Sequence, residues 1–252
     1  MKIVVIGGSG LIGSRVVDRL KKAGHDVVAA SPRSGVNAVT GEGLANALSG
    51  ASVVVDVSNA PSWEEQAVRE FFEKSTANLL QAEAAAGVKH HVALSVVGAE
   101  RLTDSGYMKA KIVQESLIKS STIPYTILRA TQFMEFVEGI ATSFTSGDVA
   151  LIPTAGIQPV AADDVAAMLA DIAVEQPVNG MLELGGPKAF AMDELVRQYF
   201  QATGVTRQVV TDDESRYYGE RLQKKTLLPG SAARLGRVTL EKWIQPKATA
   251  GV

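Results

Sequence analysis

Residues 3–6 form an unbroken β-branched run, and the apolar positions after them change period. Leu11, Ile12, Val16, Val17 and Leu20 recur at helical spacing. A continuous apolar run followed by a 3.6-residue period predicts a buried parallel strand, a turn and a helix. The switch then repeats. Ala23-Gly24 stops the helix, and residues 25–30 (HDVVAA) read as a second strand. Residues 41–49 read as a short helix and residues 52–57 (SVVVDV) as a strand. Residues 64–86 read as a long helix with Val68, Phe71, Phe72, Leu79 and Leu80 on its apolar face, ended by Gly87. Residues 92–97 give a strand stopped by Gly98, a helix opens at Tyr107, and residues 126–129 give another strand. This alternation predicts an α/β doubly wound parallel sheet, a Rossmann core, over residues 1–130.

Beyond residue 130 the pattern is less regular. Residues 132–144 predict a helix, 149–152 a short strand, and Asp163 or Asp164 begins a helix running through Ile172. Residues 181–184 precede Gly185-Gly186-Pro187, and another helix begins at Met192. Residues 131–252 are therefore expected as a mixed C-terminal region: a smaller substrate-covering lobe, with some elements returning to the core.

Composition narrows the chemistry. A chain of 252 residues with net charge −2 offers no general attraction to nucleic acid or an anionic membrane. The absence of cysteine removes disulfides, thiolate catalysis and thiolate metal sites. There are three histidines, and the adjacent His90 and His91 would face opposite sides of a strand, so no metal site is expected. No apolar run approaches the roughly 20 residues of a membrane span. The chain reads as a soluble, cytoplasmic protein acting on a small molecule, as a monomer or homodimer.

The turn after the first strand carries the first chemistry. Gly8, Gly10 and Gly13 satisfy G-x-G-x-x-G, and Gly7, Gly10 and Gly13 satisfy G-x-x-G-x-x-G. A turn without Cβ atoms lets backbone N–H groups approach a pyrophosphate, and the helix N-terminus adds positive partial charge. Gly7, Ser9, Gly10, Leu11, Ile12 and Gly13 are the candidate dinucleotide contacts. An NAD site usually places an acid at the end of the second strand, for the ribose 2′-hydroxyl. Here residues 27–30 hold none, and the strand leads into Ser31-Pro32-Arg33-Ser34. An arginine flanked by hydroxyls suits a 2′-phosphate, which favours NADP(H) over NAD(H). A merely solvated loop arginine is the alternative. Ligands on such sheets sit at the strands' carboxyl ends, where Ser31, Asn59 and Ser95 fall.

Tyr107 and Lys111 are four apart and share a helical face. A phenol with a pKa of ~10 is a poor acid or base at neutral pH. A neighbouring ammonium would lower that pKa toward useful proton transfer. Ser95, on the preceding strand end, could hydrogen-bond the substrate oxygen. Y-x-x-x-K also arises by chance on surface helices; its place downstream of a dinucleotide turn favours the catalytic reading.

The segments GGSGLIG, ANLLQAEAAAGVKH, LSVVGA, GYMKAKIVQESL, YTILRATQFMEF, PVAADDVAAMLADI and LELGGPKAF resemble the short-chain dehydrogenase/reductases, specifically the atypical NmrA-like group. The resemblance runs over nearly the whole chain. It implies Tyr107 as proton donor, Lys111 as a ligand of the nicotinamide ribose that also tunes Tyr107, and Ser95 as the group orienting the carbonyl. It implies cofactor contacts from the Val57, Ser58 and Asn59 loop, where Ser58-Asn59-Ala60-Pro61 departs from the compact members' N-N-A-G. Ala130 stands where relatives often carry proline, so the nicotinamide-flanking role falls to Ala130, Thr131 and Phe133. Residues 98–106 are expected as a polar, mobile loop, and Ser62, Trp63 and residues 133–136 as further pocket wall. A locally basic stretch, 216–247, reads best as a solvated face; Arg216 or Arg221, beside Tyr217 and Tyr218, could instead meet an anionic or aromatic substrate.

The resulting expectation is an NADPH-preferring oxidoreductase that reduces a carbonyl, quinone or conjugated alkene by hydride transfer. The alternative of a different class is a non-catalytic, NmrA-like redox-sensing binding protein. An epimerase or dehydratase acting on a nucleotide-sugar would need more C-terminal bulk.

Overall fold

The computed structural model describes residues 1–245. Five strands and four helices build the first half: β1 (Lys2–Ile6), α1 (Leu11–Lys22), β2 (Asp26–Ala30), α2 (Leu44–Leu48), β3 (Val53–Asp56), α3 (Glu65–Ala86), β4 (His90–Val96), α4 (Gly106–Ser120) and β5 (Tyr125–Ala130). The second half contributes α5 (Val137–Ser143), β6 (Thr145–Ser146), β7 (Val149–Ile152), β8 (Gly156–Ile157), α6 (Ala162–Val174), β9 (Gly180–Gly185), β10 (Phe190–Ala191) and α7 (Met192–Thr203). It closes with β11 (Gln208–Thr211), β12 (Arg216–Tyr217), β13 (Glu220–Arg221), β14 (Arg234–Leu235) and α8 (Leu240–Ile244).

The central sheet has seven strands in the order β14-β9-β5-β4-β3-β1-β2, all parallel. The unbroken apolar runs of β1 and β3 are explained by burial on both faces. One face packs against α1 and α6, with Ile3, Val5, Ile12, Val16, Leu128 and Leu169 in one cluster. The other carries α2, α3 and α4, where Val4, Val54, Leu44 and Leu79 pack together. A second large cluster lies in the C-terminal half, joining Ile140, Ile152, Leu195, Phe200 and Leu240. It reaches back to Ala99, Leu102 and Met108, so the lobe is packed onto the loop that leads into α4.

Two expectations are corrected. The helix expected over 132–144 begins later: residues 131–133 stay extended, a 3-10 turn spans Met134–Phe136, and α5 follows. Phe133 bridges Val160, and Met134 donates its N–H to the Val160 carbonyl, which holds the backbone straight past β5. The 98–106 segment is fastened rather than loose. It forms a 3-10 turn at Ala99–Arg101 with Ala99 and Leu102 buried. Arg101 donates to the carbonyls of Lys225 and Leu228, and the N–H groups of Asp104 and Ser105 both donate to Glu220. Lys247, in the basic stretch read from the sequence, lies outside the described residues.

Candidate active site

The carboxyl edge of the sheet gathers the turns after β1, β2, β3, β4 and β5. In the first, Gly7 takes a left-handed φ of +78°, with the Ser58 N–H and Val57 carbonyl 2.9 Å from where a Cβ would stand. A Cβ at Gly13 would run into the Gly7 carbonyl oxygen, so the turn and the helix can meet only through glycine. Gly10 differs. A Cβ there would meet nothing but that same oxygen, at 3.3 Å, and would otherwise fill the open mouth of the turn. Gly10 is the N-cap of α1, no side chain caps the helix, and its first turn holds no acid. Leu11, Ile12 and Gly13 therefore present the N–H groups that every helix leaves unpaired, as a pyrophosphate requires. Ser9 and Leu11 are exposed on this rim. Val57 and Ser58 wall the turn, Asn59 is exposed beyond them, and the donor set fits a dinucleotide.

At the end of β2, Ser31 is buried and a 3-10 turn runs over Pro32–Ser34. The Ser31 N–H donates to the Ser34 hydroxyl at 2.9 Å, which fixes the turn. Arg33 projects from it, exposed and without an ion pair among the described residues. Across the sheet, Ala130 ends β5 buried and Thr131 is pinned by its hydroxyl to the Gln158 carbonyl. Phe133 stacks on Phe136 with centroids 5.5 Å apart.

The structure places Ser95, Tyr107 and Lys111 in three different surroundings. Tyr107 stands in the first turn of α4 among aromatic rings: Trp63 at 5.4 Å and Phe72 at 6.1 Å, with Trp63 stacked in turn on Tyr218 at 6.4 Å. Burial pushes its phenol up to about 12, and the neighbouring Tyr218 adds to the rise. The expected lowering by Lys111 is overturned by this. The Lys111 ammonium lies over the same Phe72 ring that flanks Tyr107, and donates to the Leu94 carbonyl at 2.8 Å and to the Gln114 side-chain oxygen rather than to the phenol. Burial brings Lys111 down to about 8, against the opposing pull of Asp56 and Glu115. Gln114 passes the connection on to Asp56 at 2.9 Å, and Asp56 accepts from the Ser58 N–H and hydroxyl beside the glycine turn.

Ser95 is likewise committed elsewhere. Its hydroxyl donates to Glu115 at 2.7 Å, and it is not free to orient a substrate carbonyl in this arrangement. Glu115 also takes both arms of Arg129, at 2.8 and 2.7 Å, and Arg129 reaches on to Glu100. Burial raises the Glu115 carboxyl, but the hydrogen bonds from Arg129 and Ser95, with the charges of Arg129 and Lys119, hold it below its ordinary value. Sequence reasoning missed this buried network. Its only signal was a charged residue, Arg129, inside an apolar strand, together with two polar positions, Gln114 and Glu115, on the inner side of α4. Arg216 and Arg221 are tied within their own neighbourhood, Arg216 to the Gly219 carbonyl and Arg221 to the Asp213 carbonyl and Glu214.

A sequence profile described as NAD(P)H-binding matches residues 7–176, from the first glycine of the turn to just past α6. The chain belongs to this NAD(P)H-binding family. The match agrees with the NmrA-like, short-chain-dehydrogenase resemblance of the sequence. Among curated relatives, divinyl chlorophyllide a 8-vinyl-reductase of Oryza sativa subsp. indica is 29% identical over 80% of this chain and 58% of its own length. The photosystem II assembly factor Ycf39 of Synechocystis sp. is 27% identical over 55% of this chain and 47% of its own. The chain thus spans about half the length of these relatives. Among solved structures, MoeE5 in complex with UDP-glucose and NAD superposes with a TM-score of 0.72 at 17% identity, over 97% of both chains. The NADPH-dependent quinone oxidoreductase QOR2 of Escherichia coli gives 0.66 at 19%, over 96% of this chain and 98% of that one. These two show the shared Rossmann-like fold. Among the described residues no helix is long and apolar enough to cross a membrane, and no group of three or more His, Asp or Glu could hold a metal ion.

Proposed function

We propose that the protein is an NADPH-preferring reductase of a small carbonyl, quinone or conjugated alkene. The observation that carries this reading is Tyr107: a phenol at the carboxyl edge, in the first turn of α4, walled by Trp63, Phe72 and Tyr218 and kept protonated by burial. A protonated phenol can donate to a developing oxyanion but cannot accept a proton at neutral pH, which favours reduction over oxidation. When bound, the reduced nicotinamide supplies the hydride. Tyr107 would give the proton, the aromatic rings would offer a flat apolar surface, and Lys111 would reach the cofactor ribose only by giving up a hydrogen bond to Leu94 or Gln114. Arg33 recognises the 2′-phosphate. The reductase among the curated relatives supports the same class of reaction.

A second reading, a dinucleotide-sensing binding protein, is favoured by the engagement of Ser95 with Glu115 and of Lys111 with Gln114. Similarity to a photosystem II assembly factor points the same way. The test is single-turnover oxidation of NADPH over a panel of quinones, aldehydes and enones, with wild type and Tyr107→Phe. Turnover abolished by the substitution supports the reductase; tight NADPH binding with every compound inert overturns it in favour of the sensor.

A further inference from the structure

Gln132 is more than nine-tenths buried, and neither its side-chain oxygen nor its nitrogen finds a hydrogen-bond partner among the described residues. The other buried orphans are single atoms: the hydroxyls of Ser75 and Thr76, and one ring nitrogen each of His90 and His91. His90 and His91 use their remaining ring nitrogen, His90 with Thr126 and His91 with Glu83. Gln132 alone among the described residues leaves both a donor and an acceptor unmatched. A buried amide in that state is costly, and natural structures seldom keep one without a use.

The orphaned amide does not come from a loose segment. The Thr131 N–H donates to the Leu184 carbonyl, the Gln132 carbonyl accepts from Val160, and the Met134 N–H donates back to the Val160 carbonyl. Thr131, Gln132 and Met134 are thus bolted to two neighbouring segments, at Leu184 and Val160, and the amide comes from a fixed backbone. Its flanking residues Ala130 and Phe133 pack in the same cluster as Ile12, from the first turn of α1. Gln132 itself stands two positions past the end of β5, at the carboxyl edge of the sheet where the dinucleotide turn also lies.

The sheet order fixes what passes there. With Arg33 at the end of β2 and the glycine turn at β1, a dinucleotide laid along the carboxyl edge runs its other half past β3 and β4 toward β5. The group that would arrive at β5 is the nicotinamide. Its carboxamide carries one acceptor and one N–H donor pair, the complement of the two atoms Gln132 leaves unmatched. A ketone or quinone would satisfy only the Gln132 nitrogen. We infer that the Gln132 side chain recognises the nicotinamide carboxamide through a pair of amide–amide hydrogen bonds. This inference concerns cofactor binding and stands whether or not Tyr107 catalyses turnover.

The experiment measures dissociation constants for the reduced dinucleotide, its 3-acetylpyridine analogue, in which a methyl ketone replaces the carboxamide, and 2′-phospho-ADP-ribose, which lacks nicotinamide. Wild type is compared with Gln132→Met, which keeps length and removes both polar atoms. The expected result is roughly tenfold weaker dinucleotide binding in Gln132→Met, with 2′-phospho-ADP-ribose unchanged. The wild-type preference for the carboxamide over the acetylpyridine analogue should vanish in the variant. Equal weakening of all three ligands, or no weakening of any, overturns the inference. So does unchanged cofactor binding with a raised KM for a carbonyl substrate, which would assign Gln132 to the substrate instead. Should Gln132→Met fail to fold, wild type alone decides: equal affinity for the dinucleotide and its acetylpyridine analogue overturns the proposal.

Discussion

A phenol pushed up to about 12 keeps its proton through the whole neutral range, so Tyr107 is in its donating state whenever a substrate arrives. Reduction by the wild type should then show no loss of rate from Tyr107 ionisation between pH 6 and about 9. Tyr107→Phe should lower single-turnover rate on the order of 10²–10⁴-fold while leaving cofactor affinity within a factor of two, read by stopped-flow absorbance. Arg33 works at the other end of the cofactor. Arg33→Ala should weaken NADPH binding by roughly tenfold or more and leave NADH unchanged, as expected for loss of a charge-assisted contact. Equal effects on both dinucleotides in a titration would show that Arg33 does not read the phosphate. Glu115 is structural in a stricter sense, because Arg129 and Ser95 both depend on it. Glu115→Ala should cost about 3 kcal/mol in urea unfolding, since it removes both bonds to one carboxylate and leaves a buried guanidinium with Glu100 alone.

Strands and helices behave as periodicity dictates where burial is uniform. The runs of β1 and β3 were legible because both of their faces are buried, and the faces of α1 and α3 because each helix buries one continuous stripe. The glycine turn was equally legible, since Gly7 and Gly13 are demanded by the local backbone itself. What the sequence hid was direction. Spacing places Tyr107 and Lys111 on one helix face, yet α4 lies so that the lysine enters the interior, toward Leu94 and Gln114, while the tyrosine stays at the aromatic rim. Four-residue spacing fixes neighbourhood, not which way a long side chain extends. The engagement of Ser95 was hidden for a related reason: its partner Glu115 lies 20 positions away on another element. The β4–β5 pair adds a pH response. Burial, joined by the His91 charge, brings His90 down to about 4, so the unfolded chain takes up a proton below pH 6.5 that the folded chain refuses. The His90 contribution to stability, on the order of 2 kcal/mol, should therefore be lost as pH drops from 6.5 toward 4, against an opposite contribution from His91, whose pKa is raised by Glu83 despite burial. His90→Gln should flatten that limb of a thermal-melt series.

At the scale of the molecule, the loop from Gly98 to Ser105 joins the two large clusters. One end continues β4; the other is held by Glu220 and by the carbonyls of Lys225 and Leu228. Glu220→Gln weakens the acceptor of two N–H groups at once, so amide hydrogen exchange at Asp104 and Ser105 should quicken while exchange in β1 and β3 stays slow. Trp63, 71% exposed and set between Tyr107 and Tyr218, is one of two tryptophans in the chain. Its fluorescence should report entry of a flat substrate, and Trp63→Leu should remove that signal.

The clamp on residues 98–105 also orders events at the ribosome. The dinucleotide turn is made before the segment that fastens this clamp. The segment 220–228 that fixes the approach to Tyr107 is made more than a hundred residues later. The approach to Tyr107 therefore cannot be fastened until long after the cofactor turn has been made.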